Sequence, residues 1–130
     1  MRTTSLIAAA VMVLMPACNP FAPDQTVELG VRELNAPSTT PANVPLDVTL
    51  VVELGGCLSF DRIQVQRSGA EATLTVLGKD SSIGRKNVAC TSDIRYESHI
   101  VRFDPPFSGT FDITVNRGRI SPLRATVQVQ

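Results

Sequence analysis

The run "LDVTLVVEL", residues 46–54, constrains the fold more than any other part of the sequence. Leu46, Val48, Leu50, Val52 and Leu54 occupy every second position, with Asp47, Thr49 and Glu53 among those between. Successive side chains of a strand point to opposite faces, so this pattern gives one apolar face and one mixed face. An amphipathic helix needs a period near 3.6 and cannot use it. Gly55-Gly56 ends the run. The same period recurs with Val27, Leu29 and Val31, then in 62–67 on Ile63 and Val65, and in 72–79 on Leu74 and Val76. It continues through 94–104, through 110–116 on Phe111, Ile113 and Val115, and through 123–129 on Leu123, Ala125, Val127 and Val129. Between these runs stand Gly, Pro, Asn and Ser. The segment 35–45, "NAPSTTPANVP", carries three prolines and reads as a loop. Ser68-Gly69-Ala70 has the chemistry of a hairpin turn. No helical period follows residue 18. Such spacing predicts an all-β fold, a seven-stranded antiparallel sandwich over residues 27–130.

The front of the chain follows a different logic. Arg2 precedes ten uninterrupted apolar residues, "LIAAAVMVLM" at 6–15, and prolines then begin at Pro16. A membrane span needs about 20 apolar residues, so the run is too short to cross a bilayer and has the layout of an export signal over 1–17. The stretch "LMPAC", with Ala17 before Cys18, resembles the lipobox of bacterial lipoproteins, although Pro16 stands where that family prefers a small residue. The resemblance implies that Cys18 is acylated and becomes the new amino terminus, anchoring the chain to a membrane on its extracytoplasmic side, in the cell envelope. Residues 18–26, ending in "NPFAPDQT", would then form a tether between lipid and domain. Two other readings of Cys18 stay open: an ordinary residue beside a conventional cleavage site, or a partner for another cysteine.

The chain has three cysteines, and an exported protein leaves few unpaired. If Cys18 carries lipid, Cys57 and Cys90 remain to form a disulfide, worth about 3–4 kcal/mol by chain entropy. A zinc site would need ligand pairs at short spacing, which neither cysteine has. A reactive thiol would need a basic partner, and the one histidine, His99, lies in the alternating segment "YESHIVRF".

The segment "DPPFSGTFDITV", 104–115, resembles the penultimate-strand region of bacterial immunoglobulin-like and fibronectin-type modules. Phe111 takes a place often held there by Tyr. The resemblance implies an immunoglobulin-like sandwich and specifies no activity.

Twelve basic and twelve acidic side chains cancel, which leaves no net field to favour nucleic acid. Catalytic and nucleotide-binding motifs are absent from the sequence, so no cofactor, metal or small-molecule substrate is expected. Lys79, Arg85 and Lys86 in 78–87 could hold an anion, but three charges on a loop are ordinary solvated surface. The acidic residues fall singly, mostly at outward positions. These features point to a non-catalytic envelope module that binds another envelope protein or supports an assembly. The last strand, 123–130, is the expected free edge for a partner's strand. A protease inhibitor using the loop 35–45, or less favourably a small hydrolase, is the alternative.

Overall fold

A computed structural model describes residues 24–130; the export signal, Cys18 and most of the expected tether lie outside the described residues. Nine strands build two sheets, and the described residues contain no helix. They are β1 (Gln25–Glu28), β2 (Gly30–Asn35), β3 (Thr39–Thr40), β4 (Leu46–Gly55), β5 (Leu58–Ser68), β6 (Glu71–Asp80), β7 (Ile94–Phe103), β8 (Thr110–Arg117) and β9 (Ile120–Val129).

The smaller sheet runs β2-β4-β7 and is antiparallel throughout. In the larger sheet β6 is the hub. It pairs with β5 along one edge, while β1 and β8 share the other, β1 at Leu77 to Asp80 and β8 at Glu71 to Leu74. Beyond β8 come β9 and β3.

The all-β, two-sheet expectation holds, but two parts of it need correction. Seven strands become nine, because the first apolar set is divided and the proline loop contributes β3. The larger sheet is mixed rather than antiparallel, since β6 lies parallel to β8 and β3 parallel to β9. The chain leaves the larger sheet after β6 to form β7 in the smaller one. It returns to β6's other edge running in the same direction.

The division of the first set has a clear cause. Leu29 is buried between β1 and β2, and its N–H donates to the Val76 carbonyl at 2.9 Å. There the chain passes from one sheet to the other. Leu29 packs on Gly78, where an added Cβ would stand 2.6 Å from the leucine methyls and 2.4 Å from the Ser59 carbonyl oxygen. Gly78 therefore admits no side chain. Gln25 and Thr26, assigned to the tether from sequence, pair with Asp80 and Lys79 in β1.

The core lies between the sheets. Leu46, Val48, Leu50, Val52 and Leu54 on β4 are all buried, facing Leu74, Val76, Phe111, Ile113, Val115 and Val127 of the larger sheet. Of the apolar positions expected to face inward on β9, Val127 alone is fully buried; Leu123 and Val129 are partly covered. The ring of Phe111 meets Phe103 and Phe107 edge-on, each at 5.2 Å between centroids. Arg67 closes this end: its guanidinium lies 4.9 Å and 5.1 Å from the Phe107 and Phe111 ring centres and donates to the carbonyls of Asp104 and Pro106. A cation over two aromatic faces gains from their quadrupoles.

Candidate interaction surface

The residues with most to offer a partner lie on β7. Its sequence, "IRYESHIVRF", carries apolar residues at both parities. Val101 and Phe103 face the core, while Ile94, Tyr96 and Ile100 point outward and are 63, 49 and 70% exposed. Pairing with β4 places Tyr96 beside Glu53, Ser98 beside Val51 and Ile100 beside Thr49 on the outer face of the smaller sheet. Arg32 on β2 lies 5.2 Å from the Tyr96 ring centre and donates to the tyrosine hydroxyl at 3.3 Å. At the other end of the face the Arg102 guanidinium donates to both carboxylate oxygens of Asp47, at 2.7 and 2.8 Å. That hydrogen-bonded pair holds the Asp47 carboxyl below its ordinary value and raises the Arg102 value. The outer face thus carries an apolar strip with a tyrosine, contacted by Arg32 and ending at the Asp47–Arg102 pair.

The inward side of β7 is unusual for a sandwich strand. Arg95, Glu97 and His99 alternate there, opposite the edge strand β5 of the other sheet. His99 stacks on Phe60 with ring centroids 3.7 Å apart. Its Nε2 lies 3.4 Å from a Glu97 carboxylate oxygen, but the alignment is too poor for a hydrogen bond, and that nitrogen has no hydrogen-bond partner among the described residues. Arg95 reaches across to the Leu58 carbonyl at 3.1 Å. A shallow cleft of about 440 Å³ with mixed lining, including Phe60, Ile63, Val65, His99, Val101 and Arg102, opens along this flank.

Cys57 and Cys90 are bonded, with Cα atoms 5.1 Å apart. The bridge joins the β4–β5 turn to the segment that leads into β7. The approach is tight: Gly56 has φ near +57°, and a Cβ there would lie 3.2 Å from the Cβ of Cys90. Nearby, the Thr91 hydroxyl donates to Asp93 and the Ser82 hydroxyl and N–H donate to Asp80. Both carboxyls sit below their ordinary values for that reason.

The other expected sites fall elsewhere. In the loop 78–87, Arg85 pairs with Asp24 at 2.8 Å, and Lys79 belongs to β6. The segment 35–45 is tied down: Thr40 is buried, the Phe107 N–H donates to the Ala42 carbonyl, and the Ala42 N–H donates to the carbonyl of Gln130. The expected free edge at 123–130 is covered at its end, where β3 pairs with Gln128 and Val129. Cys18 lies outside the described residues. The β7 face was visible in the sequence as the double parity of its apolar residues, a signal that a search for simple alternation passes over.

Comparison with models of known protein families, with curated proteins and with solved structures found no match. The reading of this surface therefore rests on its own geometry.

Proposed function

We propose that the chain is a non-catalytic, lipid-anchored module of the bacterial cell envelope that binds another envelope protein through the outer face of β2-β4-β7. The observation that carries this reading is the exposure of Ile94, Tyr96 and Ile100 on one face of one strand, with Arg32 against the tyrosine. Tyrosine and arginine supply much of the energy in protein interfaces, and exposed apolar side chains gathered on one strand are costly to keep without a use. The lipobox resemblance of "LMPAC" supports the anchor, and Cys18 would carry it. The immunoglobulin-like assignment belongs to the same reading: two sheets around one core support it, while the parallel β6–β8 pairing departs from the antiparallel sheets of that architecture.

Two measurements test the proposal. Mass spectrometry of the membrane-extracted protein should find an amino-terminal acylated Cys18; a free, unprocessed leader would remove the anchor. Chemical cross-linking in intact cells, followed by purification of the chain, should recover a discrete partner that Tyr96→Ala or Ile100→Asp strongly depletes. Recovery unchanged in both folded variants would exclude this face.

A further inference from the structure

The edge strands of the two sheets are not equally open to another strand. The edges of β2 and β5 are interrupted by bulges, at Arg32 and at Asp61, and bulges discourage pairing. On β9 the strand β3 covers Gln128 and Val129, and the rest of that edge carries Pro122, which has no N–H to donate, while β1 and β3 are only four and two residues long. In contrast, β7 pairs with β4 in unbroken register from Ile94 to Phe103, and among the described residues no strand occupies its second edge.

Inward-pointing charges normally guard such an edge, because an arriving strand must satisfy them. Here the guard has a self-complementary order. Two copies of β7 paired antiparallel about a two-fold axis at Ser98 would set Glu97 opposite the second copy's His99 and His99 opposite its Glu97. On the outer face the same register sets Tyr96 opposite Ile100, twice. A shift by two residues one way brings Glu97 against Glu97 and Arg95 against His99. The opposite shift brings His99 against His99 and Tyr96 against Arg102. Since residues directly opposite must share a face, registers of odd offset are excluded. A shift by four sets Arg95 against Glu97 but pairs only Ile94 to Ser98; of the registers that pair seven or more residues of β7, only the one centred on Ser98 sets Glu97 against His99.

We infer that β7 is a homotypic edge, through which two copies of this chain join their smaller sheets into one continuous six-stranded sheet. The partner is a second copy, chosen by the alternation of Glu97, whose carboxylate accepts hydrogen bonds, with His99, whose Nε2 has no hydrogen-bond partner among the described residues. Dimerisation would also set two copies of the outer face side by side, but it stands independently of the anchor and of any envelope partner. A contact confined to one strand edge is small, below about 1,200 Å², and belongs with weak, concentration-dependent association. Covalent trapping is therefore the suitable test.

In the proposed register the two Ser98 Cβ atoms are about 4.5–5.5 Å apart, within reach of a disulfide after small adjustment. The two Thr49 residues are separated by three strand spacings and by four residues along the strands, about 20 Å in all, and cannot bridge. Under mild oxidant, the full chain carrying Ser98→Cys should yield a reducible dimer. Thr49→Cys and the wild type, both of which retain Cys18, should yield little. Adding Glu97→Arg to the Ser98→Cys chain should lower the yield about ten-fold, because one substitution creates two unfavourable pairs across the axis. A melting transition matching the wild type shows that each variant is folded, and Glu97→Gln replaces Glu97→Arg if that one is not. Equal trapping at positions 49 and 98, no trapping at 98, or a yield indifferent to the charge at 97 would each overturn the inference.

Discussion

The two flanks of the sandwich are finished by different chemistry. On the β9 flank the backbone does the closing: β3 lies along the end of β9, the Gln130 N–H donates to the Thr40 carbonyl, and the Gln128 N–H donates to that of Ser38. On the β5/β7 flank no backbone hydrogen bond joins the two edge strands among the described residues. Side chains span the gap instead, with Phe60 on His99 and Arg95 on the Leu58 carbonyl, and the Cys57–Cys90 bridge staples one end. Backbone pairing satisfies polar groups permanently, whereas a side-chain seam leaves strand edges available. The first flank is closed by main-chain hydrogen bonds, and the second by side-chain contacts and the disulfide.

This contrast can be broken in several ways, beginning with the largest expected effect. Phe111→Ala, next to the closed flank and beneath Arg67, should cost about 3–5 kcal/mol in denaturant unfolding, the usual loss for a buried phenylalanine. Reduction of the disulfide, or Cys57→Ser with Cys90→Ser, should cost about 2–4 kcal/mol. Hydrogen exchange would then locate the loss: amides of β5 and β7 should exchange faster, while those at the β3–β9 pairing should change little. Uniform acceleration would show that the two flanks unfold as one unit. Phe60→Ala, which removes the stacking partner of His99, should lower stability by roughly 1 kcal/mol beyond its lost burial.

Acid should act on the open flank as well. Asp47 is held down by Arg102, Asp80 by Ser82 and Asp93 by Thr91, and all three flank β7 or the segment leading into it. A carboxyl lowered in the folded state stabilises fully above its unfolded value, here 3.8. That contribution disappears as pH falls through the lowered folded value. Melting temperature should therefore be flat in this respect from neutral pH down toward 4 and should decline below it. Asp47→Asn, Asp80→Asn and Asp93→Asn should each flatten part of the decline. The smallest effect belongs to the surface itself: Ile100→Thr keeps a β-branched side chain at an exposed position and should change stability by less than about 0.5 kcal/mol.

How much of this was legible beforehand depended on the range of the interaction concerned. The alternation in β4, β6 and β8 identified the buried residues almost without error, because a strand covered on one face writes that face into every second position. The cysteine pairing followed from counting once Cys18 was set aside. The β7 surface was half legible. Its outward Tyr96 and Ile100 compete with inward Val101 and Phe103, and neither parity reads as the core.

By itself, the sequence determined most of the strands and turns and the apolar faces of β4, β6 and β8, since period and turn chemistry act over a few neighbouring residues. Gly69, the first residue of the two-residue turn between β5 and β6, takes the positive φ its turn requires, and Gly118 does the same between β8 and β9. Only the tertiary structure decided which strands became neighbours. The parallel alignment of β6 with β8, the crossing of the chain from sheet to sheet at Leu29, and the open edge of β7 all depend on residues far apart in the chain meeting in space. A strand's pattern says which side is buried but carries no record of what lies at its edges, and the edges distinguish this molecule.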